Sequence, residues 1–209
     1  MKNLNFLLPN TQKVFDKLAG FAKELLSHFV LVGGSALAAH LRHRQSEDLD
    51  FFTFEDTFIR KQIFAVMQLF EEKEILHESN EQIDLMLDGV KVTFFNAHWK
   101  FLTPGTHAVP VHIASVEQIA AMKTNVLFMR ARFRDYYDLY AISKERMTLK
   151  EIYKNACRTV EGINFKLFSI ALVYTEDIED DNIEHLNPKY KITKEAISEY
   201  FITELKKLK

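Results

Sequence analysis

The sequence has almost no cysteine, little glycine and proline, and no long hydrophobic run. Cys157 is the only cysteine, so an internal disulfide is excluded. With 6 glycines and 4 prolines in 209 residues, the chain is neither collagen-like nor of low complexity. No apolar stretch approaches the roughly 20 residues that cross a bilayer, and the run that ends at Pro9 is too short for a secretory signal. These absences predict a globular protein of the cytoplasm.

The sequence also lacks a strong excess of either charge. Lys and Arg number 27 against 29 Asp and Glu, which gives a formal net charge of -2. A protein with this balance does not attract a polyanion over its whole surface, so a nucleic-acid partner must meet a local basic patch. Two short segments are locally basic, and together they could line one cleft for a nucleic-acid acceptor: His40, Arg42, His43 and Arg44 in the first, and Arg130, Arg132 and Arg134 in the second.

Hydrophobic patterning predicts an α+β protein. A buried strand at 29–32, the pair Gly33-Gly34 and a helix at 35–41 form a strand, glycine turn and helix. Asp88-Gly89 between strands 83–87 and 90–95 is a strong hairpin signal. We expect an α/β core at 1–114 and a helical part at 115–209. The remaining elements predicted are strands at 48–53 and 111–113 and helices at 10–26, 55–72, 115–128, 134–143, 149–160, 165–174 and 193–208.

The glycine pair is the first candidate for binding chemistry. The sequence contains neither G-x-x-x-x-G-K-[ST] nor G-x-G-x-x-G, so a P-loop and a dinucleotide fingerprint are both excluded. Glycines that end a strand let backbone N–H groups approach an anion, and the following helix adds the positive end of its dipole. We therefore expect Gly33 and Gly34 to form a triphosphate cradle, with the Ser35 hydroxyl as a further donor.

Asp48 and Asp50 are the second candidate. Because they alternate on a predicted strand, their side chains share one face about 6.6 Å apart along the backbone. Two such carboxylates suit a hard divalent cation such as Mg²⁺. A bound cation or a close arginine would offset the cost of burying them, so pairing with Arg42 or Arg44 is the alternative.

Both candidates belong to one longer motif. Gly33-Gly34-Ser35 followed by H-R-x-S-x-D-L-D-F-F at 43–52 resembles the hG[GS]...DhD signature of the nucleotidyltransferase superfamily. A second half, A-M-K at 121–123 and R-D-Y-Y-D-L-Y at 134–140, is similar to the corresponding region of the AbiEii/AbiGii group, which includes toxins of type IV toxin–antitoxin systems.

The resemblance implies a mixed sheet that carries the aspartates, and transfer of a nucleotide from a nucleoside triphosphate, GTP in some members. It implies Mg²⁺ or Mn²⁺ as the metal, RNA or transfer RNA as the acceptor, and an antitoxin as a partner. It gives Asp135 or Asp138 a place near the attacking hydroxyl, with Asp135 the better candidate. The implied site residues are Asp48 and Asp50 as metal ligands, Asp48, Asp50, Lys123 and Asp135 in catalysis, and Gly33, Gly34, Ser35, Arg44, Ser46, Lys123 and Arg130 in nucleotide binding.

Alternatives remain open for several of these residues. Thr93 stands where nucleotidyltransferases often have a third carboxylate, and Asp84 on the partner strand is a substitute. Lys123 lies in an apolar helical stretch, where it either meets a phosphate or extends to solvent. Asp138 could form an ordinary helix salt bridge instead of acting in the site.

The rival functions are an inactive nucleotide-binding regulator, which Thr93 favours, and a transferase with a small-molecule or protein hydroxyl as acceptor. Trp99 either stacks on a base or anchors the fold.

Overall fold

The chain divides into two compact units, Met1–Ser115 and Val116–Lys209, in a computed structural model. The structure describes residues 6–53, 58–98, 107–109, 111–130, 132–159, 161–179 and 182–208. Within these ranges, no helix is both long and apolar enough to cross a membrane.

The first unit is built on one mixed sheet. Seven strands of the described chain follow the order β3-β4-β5-β2-β1-β7-β6. β1 pairs antiparallel with β2 and parallel with β7, and β2 pairs parallel with β5. The strands are β1 Val30–Val32, β2 Leu49–Thr53, β3 Lys73–Glu78, β4 Gln82–Leu87, β5 Val90–Asn96, β6 His107–Val109 and β7 Val111–Ile113.

The β4–β5 hairpin forms where the sequence predicts it. Asp88 and Gly89 both have positive φ, 45° and 76°, the conformation that a two-residue hairpin turn with matching twist requires. The Asp88 carboxylate also accepts hydrogen bonds from the backbone N–H groups of Glu71 and Glu72, at 3.1 and 3.0 Å. This contact ties the hairpin to the segment that leads into β3.

The described part of the first unit contains four helices. They are α1 Pro9–Phe21, α2 Lys23–Leu26, α3 Gly33–Leu41 and α4 Arg60–Met67. The sequence predicts one helix through residue 26, but the backbone leaves helical geometry at Ala22, where φ is -116° and ψ is 30°. The helix predicted at 55–72 is too long at its C-terminal end, because two turn residues, Gln68 and Leu69, follow α4. Residues 54–57 lie outside the described ranges.

The second unit is helical. It contains α5 Val116–Leu127, α6 Phe133–Glu145, α7 Leu149–Ala156, α8 Phe165–Val173, a short 3-10 helix Glu184–Leu186 and α9 Lys194–Lys206. The Thr148 side chain accepts from the Glu151 N–H and the Glu151 carboxylate accepts from the Thr148 N–H, so a capping box starts α7. The mixed sheet and the helical second part together confirm the predicted fold class.

Aromatic side chains fill the core of the second unit. The Tyr136 hydroxyl donates to the Tyr174 carbonyl oxygen at 2.5 Å, and burial raises the pKa of Tyr136 to about 12. The Tyr190 N–H donates to the Tyr137 hydroxyl oxygen at 3.0 Å. Through these two bonds α6 is tied to the residue that follows α8 and to the segment between the 3-10 helix and α9.

Candidate active site

The glycine corner lies between β1 and α3. Gly33 has φ of +65°, and α3 begins there directly after the buried strand, whose last residue, Val32, is the N-cap of the helix. A Cβ on Gly33 would come 2.5 Å from the Asp50 Oδ2, and a Cβ on Gly34 would come 2.6 Å from the Arg44 Nη2. Gly33 favours glycine through its positive φ, and at both positions a side chain would displace one of two charged groups.

The two glycines thus face opposite charges. Asp50 lies against Gly33, whereas Gly34 faces the Arg44 guanidinium and also the Ser46 Oγ, which would lie 3.1 Å from a Cβ on Gly34. A carboxylate holds a cation and a guanidinium holds a phosphate. The corner therefore combines, within two consecutive residues, the two kinds of group that bind a metal–triphosphate.

Asp50 owes its position to strand pairing. In the sheet register it lies beside Val32 on one side and Thr93 on the other. Asp48 precedes β2 by one residue, and both carboxylates are half-buried. The Asp48 carbonyl oxygen accepts the hydroxyl hydrogen bond of Ser35. Ser35 is fully buried, and its hydroxyl ties the start of α3 to the residue before β2; the predicted donation to a triphosphate stays a prediction.

Thr93 on β5 and Asp84 on β4 lie in line with Asp50 across the neighbouring strands of the sheet. Asp84 pairs with Thr93 in register, so all three residues share a face, with Asp84 about 9.6 Å from Asp50 at ~4.8 Å per strand. Gln82 Nε2 donates to Asp84 Oδ1 at 2.8 Å, and Lys91 Nζ lies 3.1 Å from Oδ2. Burial raises the pKa of Asp84, but its hydrogen bonds and the Lys91 charge outweigh burial and lower the pKa overall.

These contacts engage both carboxylate oxygens of Asp84, and its substitution for a third ligand stays a prediction. No group of three or more His, Cys, Asp or Glu side chains within the described ranges could hold a metal ion. Asp48 and Asp50 nevertheless fit Mg²⁺, which proteins commonly bind through one or two carboxylates together with substrate phosphates and water.

The residues of the basic segment before β2 differ in exposure. Arg42 caps the end of α3 with φ of 50° and is exposed, whereas His43 and Arg44 are buried. Arg44 Nη1 donates to the Gln45 carbonyl oxygen at 2.9 Å, and a His40 ring nitrogen lies 2.8 Å from the Ala114 carbonyl oxygen. Burial beside Gly34 makes Arg44, and not Arg42, the cation of this corner.

The predicted residues of the second unit form a buried ionic network. Lys123 Nζ on α5 lies 2.6 Å from Asp135 Oδ1 and 2.7 Å from Asp138 Oδ2 on α6. Arg130 Nε lies 3.2 Å from the second oxygen of Asp135. Both aspartates are 0% exposed and Lys123 is 7% exposed, so the alternative of a solvent-extended lysine is wrong.

Charge balance keeps this network ionised. Burial raises the pKa of Asp135, but the charges of Lys123 and Arg130 outweigh it, and the pKa lies below its ordinary value. The charges of the two cations and the two carboxylates sum to zero, and charged groups are buried at lower cost when they are paired in this way. The sequence signal for this arrangement was the three-residue spacing of Asp135 and Asp138, which places both on one face of α6.

Trp99 lies outside the described residues.

The fold is shared with solved structures that include a nucleotidyltransferase toxin. The structure resembles JHP933 from Helicobacter pylori, with a TM-score of 0.59, 18% identity, and coverage of 97% of this chain and 94% of that one. It also resembles MenT4, a nucleotidyltransferase toxin from Mycobacterium tuberculosis, with a TM-score of 0.56, 16% identity, and coverage of 92% and 84%. At these identities the likeness concerns the fold.

Sequence comparison then gives the family. A model described as "Nucleotidyl transferase AbiEii toxin, Type IV TA system" matches residues 18–95 and 83–192. The uncharacterized protein aq_aa25 of Aquifex aeolicus is 30% identical over 186 residues, which cover 87% of this chain and 88% of that protein. The chain belongs to the AbiEii family of nucleotidyl transferase toxins, and it is a nucleotidyltransferase enzyme. This confirms the family that the two sequence motifs indicate.

Proposed function

We propose that this enzyme transfers a nucleotide from a nucleoside triphosphate to a hydroxyl of RNA, in a Mg²⁺-dependent reaction. The observation that carries the proposal is the glycine corner, which presents Asp50 at Gly33 and Arg44 at Gly34. The acceptor hydroxyl forms a new bond to the α-phosphorus, the bond to the β-phosphate oxygen breaks, and pyrophosphate leaves. The acceptor proton passes to solvent or to a carboxylate.

Each residue of the corner has a role that its surroundings support. The backbone N–H groups at the start of α3 donate to phosphate oxygens, and Arg44 and Ser46 add charge and a hydroxyl. Asp48 and Asp50 hold the cation. When bound, Mg²⁺ supplies Lewis-acid stabilisation of the charge on the leaving pyrophosphate. Mn²⁺, a similar hard ion, is expected to substitute.

The family motif also assigns roles to residues of the second unit. The resemblance assigns Lys123 and Arg130 to the nucleotide and Asp135 to the acceptor hydroxyl, and these roles stay predictions. Within α5 and α6, the visible role of Asp135 is to hold Lys123 and Arg130 in place. A lowered pKa also makes Asp135 a weaker proton acceptor than an unpaired carboxylate.

The family description also bears on partners. Because it names type IV toxin–antitoxin systems, we propose that a cognate antitoxin accompanies this toxin and that transfer RNA in the cytoplasm is its target. GTP is the first donor to test, since some members of the group prefer it.

The test is a transfer assay with the full-length protein, each labelled nucleoside triphosphate in turn, Mg²⁺ or Mn²⁺, and total transfer RNA. Label on RNA is expected with at least one triphosphate. Asp48→Asn and Asp50→Asn should each lower the rate by at least about a hundredfold with unchanged circular dichroism. Asp16→Asn on α1 is the matched control, because it removes a carboxylate of the same unit outside the corner.

Two outcomes would contradict the proposal. Triphosphate binding without any product would support the inactive nucleotide-binding protein. Label on a small molecule or a protein, and none on RNA, would keep the enzyme and overturn the acceptor.

A further inference from the structure

The turn between α5 and α6 exposes two large apolar side chains beside arginines. Phe128 is 42% exposed and Met129 is 77% exposed, and they immediately precede Arg130. Arg132, also exposed, stands at the N-cap of α6. Single exposed apolar residues are ordinary on a protein surface, whereas here an aromatic side chain and a methionine are exposed next to each other and beside arginines. We call Phe128, Met129, Arg130 and Arg132 the α5–α6 turn.

The backbone holds these side chains outward. The Phe128 N–H donates to the Asn125 carbonyl oxygen at 3.1 Å, and those of Met129 and Arg130 donate to the Val126 carbonyl oxygen, each at 2.9 Å. A hydrogen-bonded turn presents its side chains in a fixed arrangement, so less conformational entropy is lost when a ligand binds.

The described residues of this turn include two arginines and no acidic residue. The acidic residues nearest in the chain, Asp135 and Asp138, are fully buried and are balanced by Lys123 and Arg130. Arg130 uses its Nε for Asp135, yet its side chain stays 44% exposed. Arg132 then adds a positive charge beyond this neutral set. The surface therefore combines an aromatic face with cations.

We propose that the α5–α6 turn docks unpaired nucleotides of the acceptor RNA. Phe128 stacks on a base, Met129 packs against the base or ribose, and the guanidinium group of Arg132 contacts a phosphate. Aromatic stacking combined with cationic contacts to the backbone is how proteins bind single-stranded nucleic acid without reading its sequence. A purely apolar protein partner would have no use for the arginines. The inference rests on the proposed transfer to RNA and names a docking surface for it.

The experiment measures binding of the full-length protein to a fluorescent single-stranded RNA of about ten nucleotides, without triphosphate or divalent metal. Phe128→Ala should weaken binding by roughly fivefold or more, and Phe128→Tyr should retain it because the stacking face remains. Arg132→Ala should reduce the slope of log affinity against log salt by about 0.7. Phe21→Ala and Arg146→Ala are matched controls, since both residues are exposed outside this turn.

The outcomes separate this inference from the proposed function. Unchanged RNA affinity in Phe128→Ala and Arg132→Ala would overturn the docking surface, even if the wild type transfers nucleotides, and would leave the turn as a contact for a protein. A wild type that binds RNA through this turn but never labels it would overturn the proposed function alone. Asp50→Asn should bind the same RNA as the wild type does while losing transfer.

Discussion

The two pairs of aspartates in this molecule are equal in chemistry and different in surroundings. Asp48 and Asp50 are half-buried at the start of β2, where a glycine lets a carboxylate lie against the backbone. Asp135 and Asp138 are fully buried on α6, and both contact Lys123. A carboxylate that water can reach can exchange its partner for a metal ion, whereas an enclosed carboxylate with a fixed cation stabilises the fold. Accessibility, more than residue type, separates the two pairs.

The largest expected effect comes from removing the cation of the buried pair. Lys123→Met leaves two carboxylates without their shared lysine, so the free energy of unfolding should fall by about 3–5 kcal/mol. Chemical denaturation followed by circular dichroism measures this. Combining Lys123→Met with Asp135→Asn and Asp138→Asn should restore a large part of the loss, because the buried carboxylates are then removed along with their cation. A single variant as stable as the wild type would contradict the structural role of the network.

The next effect concerns the glycine beside Asp50. Gly33→Ala places a Cβ 2.5 Å from the Asp50 Oδ2 at a positive φ, so it should displace the carboxylate and lower the transfer rate by about a hundredfold. Gly162→Ala is the matched control, because Gly162 has φ of +75° and a Cβ added there would meet nothing within 4 Å. It carries similar backbone strain without the collision. Equal activity of the two variants would show that the contact with Asp50 does not matter.

The pH dependence of stability tests the ion pairing of Asp135 in the buried pair. The pKa of Asp135 lies below its ordinary value of 3.8, so its stabilisation is complete above the unfolded-state pKa of about 3.9 and is lost as the pH falls through the lower folded value. The wild type should therefore lose stability steeply below about pH 4. Asp135→Asn should be less stable near neutral pH and should show a shallower decline in acid. Denaturation curves at a series of pH values measure both slopes, and parallel slopes would refute this account.

The smallest effect is expected at Asp84, which shares a sheet face with Asp50 but is engaged by Lys91 and Gln82. Asp84→Asn should change the transfer rate by less than about threefold, because a carboxylate already engaged and two strands away does not serve the metal. The measurement is the same transfer assay. A loss as large as that of Asp50→Asn would make Asp84 the missing third ligand after all.

Much of the site could be predicted because it depends on local chemistry. The Gly33-Gly34 pair marks the end of the strand before it, Asp88-Gly89 fixes the hairpin, and Asp50 lies on β2 as the pattern predicts. The partners of these residues depend on long-range pairing, which composition does not encode. The neutralisation of Asp84 by Lys91 and the binding of Ser35 to the Asp48 carbonyl are visible once β4 and β5 are paired and α3 lies against β2.

In the fold, too, local features could be predicted and features that depend on distant contacts could not. The sequence does not predict β3 at Lys73–Glu78, because every residue of this edge strand is exposed and the alternation that marks a half-buried strand is absent. The exposure of Phe128 and Met129 could not be predicted either, because in sequence they continue the apolar pattern of α5. The helix ends at Leu127, and the turn that follows directs both side chains outward.

In the proposed mechanism Asp50 and Arg44, which meet at Gly33-Gly34, hold a metal–triphosphate. Isothermal titration of the triphosphate that supports transfer, with and without Mg²⁺, tests this in wild type, Asp50→Asn and the control Asp16→Asn. Mg²⁺ is expected to strengthen triphosphate binding at least about tenfold in the wild type and the control, and Asp50→Asn should lose this dependence. Metal-dependent binding that survives in Asp50→Asn would contradict it.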